Sequence, residues 1–399
     1  MLLRPDTLAL TVLLALLTAL GPLSTDMYLP SLPALIAEFG STPAGGQLTL
    51  SAFLFGFAAG QIVYGPLSDR YGRKPVLLGG LVIFSLASAA CAAAPSADLL
   101  AAFRFVQALG ACGPIVLARS VVRDLYEGPR AGRELARMAS IMGVVPAAAP
   151  LLGGVLETLF GWRSNFIVTL GFGLGAMALV AFGLPETLRR RQSGPFSLRA
   201  MLASFAQVAR NPATRVYIGL LTLGYAGIFA WISCSSFVLQ QLYGLNEIVF
   251  ALSFGAGVGG FILGTFLGPR LVGHYRMAVD RVIGVGCLLQ ALGGLLMLLA
   301  VLTGVDTVPT IVGSMAVFLA GVGCSFPQSF ASALQPHPER AGAASSLSGF
   351  IQMSFSALVG VALGQMLGGS ALPLALAVAT MGVGAFLLER TTRDWRMAR

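Results

Sequence analysis

Charge is scarce in this sequence. Only 10% of its 399 residues are Asp, Glu, Lys or Arg, whereas an average soluble domain contains about 25% of them. Hydrophobic residues make up 56% of the chain, which predicts helices that lie in a lipid bilayer. The net charge of +9 could indicate nucleic-acid binding in a soluble protein. In a membrane protein the positions of the basic residues along the chain are more informative than their sum.

The chain also lacks the usual motifs of metal, redox and nucleotide sites. There are two histidines, and the five cysteines form no Cys-x-x-Cys pair and lie in or beside apolar runs, which is typical of small buried side chains. No Gly-x-x-x-x-Gly-Lys loop is present, so ATP is not expected to drive the protein. We expect no cofactor and no metal. The cysteines are Cys91, Cys112, Cys234, Cys287 and Cys324.

Long apolar stretches fill most of the chain. The first passes through Asp26-Met-Tyr-Leu-Pro30 without a convincing cleavage site, so we interpret it as a span and not as a signal peptide. Twelve stretches reach a length suited to crossing a bilayer: residues 7–36, 47–67, 75–95, 98–121, 134–159, 163–185, 214–240, 246–268, 278–304, 308–330, 340–367 and 370–389. The longest polar stretch follows the sixth. The predicted organisation is a bundle at 1–186, a cytoplasmic linker at 187–213 and a second bundle at 214–399.

Basic residues predict the orientation. If both termini are cytoplasmic, all but two of the 25 Lys and Arg residues lie in or beside cytoplasmic segments, as the positive-inside rule requires. The exceptions are Arg104, inside the fourth span, and Arg163, in an outer loop. A Gly-Pro pair also recurs at 65–66 and 268–269, at the ends of spans two and eight, which indicates duplicated halves.

The signature loop, Gly65 to Leu78, reads Gly-Pro-Leu-Ser-Asp-Arg-Tyr-Gly-Arg-Lys-Pro-Val-Leu-Leu between two spans. It resembles the conserved loop of the major facilitator superfamily. Arg104 to Gly110 resembles the fourth-span motif of that family. Pro146 to Gly154 resembles its fifth-span motif, associated with drug and proton antiporters, with Ala149 where a Gly is usual.

Three further stretches narrow the resemblance. Asp26 to Pro33, Gly161-Trp-Arg163 and Ala341 to Gln352 together resemble the Bcr/CflA group of bacterial drug exporters. The resemblance implies an all-α membrane protein with twelve transmembrane helices in two six-helix pseudo-repeat bundles, the major facilitator fold. It also implies alternating access and proton-driven export of small, largely apolar compounds across the bacterial inner membrane. The expected partners are drug substrates, protons and membrane lipid, and we expect a monomer.

Asp26 is the only acid well inside a predicted span. An acid at bilayer depth is costly, so it indicates a functional site that faces a cavity or a partner. Removal from water favours the neutral carboxylic acid, and such a group can gain and lose a proton. The alternative is that Asp26 lies at the solvated outer end of a short span, beside Tyr28 and a kink at Pro30 and Pro33.

Arg104 is the only cation well inside a span, and its planar guanidinium suits a buried pair. Its candidate partners are Asp26, a nearby carbonyl group or Gln107, one turn further on. We assign proton coupling to Asp26 and Arg104. The alternative is that the long Arg104 side chain extends to the membrane surface.

Asp69 in the signature loop is predicted to form a conformational latch with Arg73 and with Arg119, at the cytoplasmic end of span four, or to face the N-terminus of span eleven. The alternative is that these charges only determine the membrane topology.

The fifth-span motif is predicted to let its helix bend at an interface and so limit leak through the protein. The alternative is a static kink that serves packing. The residues of this motif are Pro146, Pro150, Gly153 and Gly154.

Aromatic, amide and apolar side chains within the spans are candidates for contact with substrate, although such residues also serve in packing. The predicted set is Tyr28, Leu29, Gln61, Gln107, Tyr225, Trp231, Phe237, Gln328 and Gln352.

Three other functions stay open: a facilitator or proton-coupled transporter of a sugar or amino acid, a membrane enzyme, and a receptor built on the same fold. The two histidines, His274 and His337, lie in predicted cytoplasmic loops, and no span carries a second acid well inside it, so an enzyme is disfavoured.

Overall fold

The computed structural model describes residues 7–126, 129–142, 144–188 and 198–397, and every regular element in these ranges is helical. The α-helices are α1 (Leu8–Asp26), α2 (Leu32–Glu38), α3 (Pro43–Tyr71), α4 (Arg73–Ala92), α5 (Ala97–Leu125), α6 (Pro129–Met142), α7 (Val145–Phe160), α8 (Arg163–Gly183), α9 (Leu198–Arg210), α10 (Pro212–Ser236), α11 (Glu247–Gly273), α12 (Val279–Leu302), α13 (Val308–Leu334), α14 (Ala341–Met366) and α15 (Leu372–Met397). Arg189, Arg190 and Arg191 of the predicted linker lie outside the described residues.

Eleven helical segments in the described part of the chain are long and apolar enough to cross a membrane, and α7 is a shorter apolar helix. The predicted all-α membrane fold is confirmed, and a count of twelve spans is compatible with these segments. The predicted fifth span consists of two helices, α6 and α7. A further helix that the sequence did not indicate, α9, lies at the end of the predicted linker.

The chain divides into two compact units. The first contains residues 1–41 and 48–197, and the second contains residues 42–47 and 198–399. In the first unit α4 packs against α5 and α8, and α1 packs against α5, α6, α7 and α8. In the second, α12 packs against α13 and α15, α11 against α13, and α10 against α13, α14 and α15.

Glycines bring helix backbones together at matching places in the two units. A side chain at Gly56 of α3 would overlap the carbonyl of Phe105 in α5, and one at Gly260 of α11 would overlap the carbonyl of Ala316 in α13. Helices in lipid depend on such close approach because the surrounding solvent is itself apolar. The repeat seen in the sequence therefore has a structural counterpart.

The opening span of each unit is irregular towards its C-terminal end. In the first unit α1 ends at Asp26, and a short 3₁₀ helix, Leu29–Ser31, precedes α2. Pro30 and Pro33 stand here, and neither can donate a backbone hydrogen bond. In the second unit α10 passes into a π-helix, Phe237–Leu242. The sequence indicated a kink at Pro30 and Pro33, but it predicted neither the separation of α1 from α2 nor the π-helix.

Candidate functional site

Asp26 is the last residue of α1 and lies at the break in the first span. It is only 4% exposed, so open water does not solvate it. Among the described residues its carboxylate has no hydrogen bond or ion pair. An isolated acid at this depth is more easily accommodated as the neutral acid than as the carboxylate.

Arg104 lies in α5 and is completely buried, so it does not extend to the membrane surface. Its Nη1 donates to the backbone carbonyl of Ser24 at 3.0 Å and to Oε1 of Gln107 at 2.7 Å. Gln107 in turn donates through Nε2 to the hydroxyl of Ser88 at 2.8 Å. Of the three partners suggested by the sequence, the structure provides a carbonyl group and Gln107. Within the described chain, Arg104 forms no ion pair with Asp26.

Three aromatic rings surround the Arg104 guanidinium. Its central carbon lies 4.2 Å from the ring centroid of Phe53, 5.2 Å from that of Tyr28 and 5.8 Å from that of Phe166. Aromatic faces attract a cation, most strongly where water is excluded. Nε and Nη2 have no hydrogen-bond partner in the part of the chain that the structure describes. The rings thus take the place of a counter-ion, and the cation remains close to the backbone of α1.

Arg104 also contributes to helix α1 itself. Ser24 belongs to the last turn of α1, where backbone carbonyls lack helical partners and the helix dipole is negative. A cation that binds one of these carbonyls stabilises the helix end that carries Asp26. The two predicted coupling residues are therefore connected through the backbone of α1 and not through a direct salt bridge.

The signature loop forms a compact charge network around Arg73. Arg73 Nη1 lies 2.5 Å from Oδ1 of Asp69 and 2.6 Å from the hydroxyl of Ser68, and its Nε lies 2.9 Å from Oδ2 of Asp124. The predicted pair of Asp69 and Arg73 is present. Arg119 is exposed and forms no ion pair with Asp69 in the described chain, and Asp124 occupies the role of second charged partner. Asp124, the next-to-last residue of α5, was the signal in the sequence that could have indicated this contact.

The fifth-span motif lies where α7 meets the break in the first span. Pro146 is in the first turn of α7, Pro150 is inside the helix, and Gly153 and Gly154 are buried. A Cβ atom at position 153 would overlap the carbonyl oxygen of Met27, the residue after Asp26. The motif thus permits close packing against the segment that carries Asp26.

The predicted substrate residues have different environments. In the first unit Tyr28, Leu29 and Gln107 are buried, and Gln61 is half-buried. In the second, Trp231 and Gln352 are buried. The remaining three are half-buried: Tyr225, Phe237 and Gln328. Tyr28 and Gln107 are already engaged, through Thr49 and Arg104 respectively.

Among its described residues, the second unit has no equivalent of the buried cation. Met315 precedes Ala316 as Arg104 precedes Phe105, and Met315 is also completely buried. Elsewhere in this unit, Trp231 stacks on Phe254 with ring centroids 5.9 Å apart. No group of three or more His, Cys, Asp or Glu residues in the described ranges could hold a metal ion.

A family model for the Major Facilitator Superfamily matches residues 14–361. The chain belongs to the Major Facilitator Superfamily. It is 28% identical over 371 residues to a bicyclomycin resistance protein homolog of Haemophilus influenzae, with 93% of this chain and 92% of that protein covered. It is 30% identical over 351 residues to multidrug resistance protein D of Escherichia coli, with 88% and 86% covered. These relatives confirm the resemblance to the Bcr/CflA group.

A solved structure of a major facilitator protein has the same fold. The xylose transporter XylE from E. coli, in a partially occluded inward open conformation, matches with a TM-score of 0.75 at 15% identity. The match covers 96% of this chain and 97% of that one. At this identity the likeness establishes the major facilitator fold alone.

In this major facilitator chain, Arg104→Lys is expected to lower transport about tenfold and to lower the free energy of unfolding by about 2 kcal/mol. A lysine ammonium cannot keep a planar face over Phe53 while it donates to both Ser24 and Gln107. The measurements are transport rate and thermal unfolding of the purified protein. Arg199→Lys, at an exposed position of α9, is the control. Equal behaviour of the two variants would contradict a specific role for the guanidinium.

Proposed function

We propose that this protein exports small, largely apolar organic compounds across the bacterial inner membrane in exchange for protons, by alternating access. The observation that carries the proposal is the environment of Asp26, a buried acid at a break in the first span that forms no ion pair with any residue the structure describes. The names of the relatives, which refer to bicyclomycin and multidrug resistance, support a drug substrate.

In this proposal Asp26 is the proton carrier. Its carboxyl group gains a proton when it is accessible from the outer side and loses it towards the cytoplasm. Arg104 holds the end of α1 in place through the backbone carbonyl of Ser24, two residues before Asp26. In a conformation that brings the guanidinium closer to Asp26, its positive charge favours release of the proton. Binding of substrate and of proton to different states of the protein then couples the two movements.

We further propose a two-bundle organisation with residues 187–213 as a cytoplasmic linker, and with both termini cytoplasmic. The basic residues of the linker and of the signature loop support this orientation.

The conformational latch of the first bundle is formed, in this proposal, by Asp69, Arg73 and Asp124, because their ion pairs connect α3, α4 and α5. The half-buried side chains Gln61, Tyr225, Phe237 and Gln328 are the proposed substrate contacts. The buried Tyr28, Leu29, Gln107, Trp231 and Gln352 are proposed to support them.

The test uses inside-out vesicles from cells that lack other efflux pumps. The vesicle interior is acidified by respiration and followed with a pH-sensitive dye, and bicyclomycin and other apolar antibiotics are added one at a time. Proton-coupled export predicts that a substrate releases protons from the vesicles only when this protein is present. Substrate uptake without proton movement would instead indicate a facilitator, and no uptake of any compound would contradict drug export.

A further inference from the structure

Glu186 contacts the signature loop from a distant part of the chain. It follows α8, in the short described segment 184–188. Its Oε1 accepts hydrogen bonds from the backbone N–H of Arg73 at 3.0 Å and of Leu188 at 2.9 Å. Its Oε2 accepts from the backbone N–H of Lys74 at 3.3 Å. One carboxylate therefore binds the first two amides of α4.

Helix α4 depends on this carboxylate because its own sequence provides no cap. The residue before the helix is Gly72, which has no side chain to accept from the free amides of the first turn. Its φ of 106° lies in the region that favours glycine. A Cβ atom at position 72 would also overlap the Glu186 carboxylate. Glycine at 72 and glutamate at 186 thus form a matched pair.

Two neighbouring contacts fasten the same segment. Thr187 donates to Oδ2 of Asp124 at 3.3 Å, the oxygen that also accepts from Arg73. Lys74 Nζ donates to the backbone carbonyl of Ala181, near the end of α8, at 2.8 Å. The segment after α8 is therefore bound both to the start of α4 and to the charge network of the loop.

We propose that Glu186 is a positioning residue for the signature loop. It fixes the backbone of Arg73, and so places the Arg73 guanidinium between Asp69 and Asp124. A carboxylate is suited to this task because the N-terminus of a helix is positive. Glu186 is also the last residue before the predicted linker at 187–213, so a shift of the linker is transmitted directly to Arg73. This role in transport rests on the proposed function, whereas the cap itself does not.

The first test is amide hydrogen exchange of the full chain in lipid nanodiscs. Glu186→Ala is expected to speed exchange at Arg73 and Lys74 about fivefold, the change that loss of one cap implies. Glu186→Gln keeps an acceptor oxygen and is expected to give a smaller increase. Glu339→Ala removes an exposed acid elsewhere and is the control. Unchanged exchange in Glu186→Ala would overturn the proposal, and this result does not depend on whether the protein exports drugs.

The second test asks whether Glu186 acts through Arg73. Glu186→Ala is expected to lower the maximal rate of proton-coupled export several-fold with little change in KM, since Glu186 touches the loop and not the substrate. In an Arg73→Met background the same change is expected to have no further effect. Independent, additive losses would overturn the positioning role. If wild-type protein showed no proton-coupled export, the proposed function would fail. The exchange experiment would still show whether Glu186 caps the N-terminus of α4.

Discussion

Asp26→Asn is expected to abolish proton-coupled export, with a loss of about 100-fold or more, while the protein folds normally. Asparagine has nearly the same shape as aspartic acid but cannot gain or lose a proton at physiological pH. The variant therefore removes the proton-transfer step that we assign to Asp26. Folding is expected to be preserved because a neutral amide is cheaper to bury at this depth than an ionisable group, and Asp26 has no ion pair to lose among the described residues.

The measurement compares two kinds of transport in proteoliposomes. Export against a substrate gradient, driven by a pH difference, needs the proton step, whereas exchange of labelled for unlabelled substrate at equal concentration does not. Asp26→Asn is expected to lose the first and keep the second. Asp98→Asn makes the same chemical change at an exposed acid in the first turn of α5 and is expected to behave as wild type. Full gradient-driven export by Asp26→Asn would refute the assignment.

The two repeats differ at the site of the buried cation. Both units bring their helices together through glycines at matching positions, but among the described residues only the first unit places a cation beside that contact. Its second-unit counterpart, Met315, is apolar. A buried charge is costly, and here the cost is offset by three aromatic rings, one carbonyl and one amide. An apolar core needs no such support. The duplicated architecture is therefore retained in the second unit without the buried cation.

The spans and the isolated charges could be predicted because they depend on local composition. Runs of about 20 apolar residues must cross the bilayer, and the scarcity of charge makes Asp26 and Arg104 conspicuous in the sequence. The breaks in the first and fifth spans were harder to predict, because prolines occur in several other helices without ending them. The break after Asp26 also depends on α7, whose Gly153 packs against the Met27 carbonyl.

The partners of the charged residues could not be predicted, because they depend on how distant helices are rotated. Arg104 is surrounded by rings from α3, α8 and the turn after α1, and no sequence spacing relates Phe53 to Phe166. The sequence suggested Arg119 as a partner of Asp69, yet Asp124, only five residues further along α5, pairs with Arg73. Residues at this spacing differ in direction by more than a quarter of a helical turn. A correct span assignment therefore leaves the pairing undetermined.

Gly153→Ala is expected to be the most damaging single-methyl change near the site. The added methyl would overlap the carbonyl oxygen of Met27, in the turn that follows α1, so the backbone of α7 or of this turn must shift to make room. The expected loss is about 3 kcal/mol in the free energy of unfolding, together with at least tenfold slower export, because α7 must separate from the segment that holds Asp26. Thermal unfolding in detergent and export by vesicles measure the two effects.

Gly171→Ala is the matched control for this change. Gly171 lies within α8, and a methyl group there has no neighbour within 4 Å. Alanine is the better helix former, so this variant is expected to be as stable as wild type or more stable by up to about 1 kcal/mol. If Gly153→Ala matched Gly171→Ala in both measurements, α7 would not be packed against the break, and the fifth-span motif would have no part in placing Asp26. A loss confined to Gly153→Ala would instead tie the glycine of that motif to the position of the proton carrier.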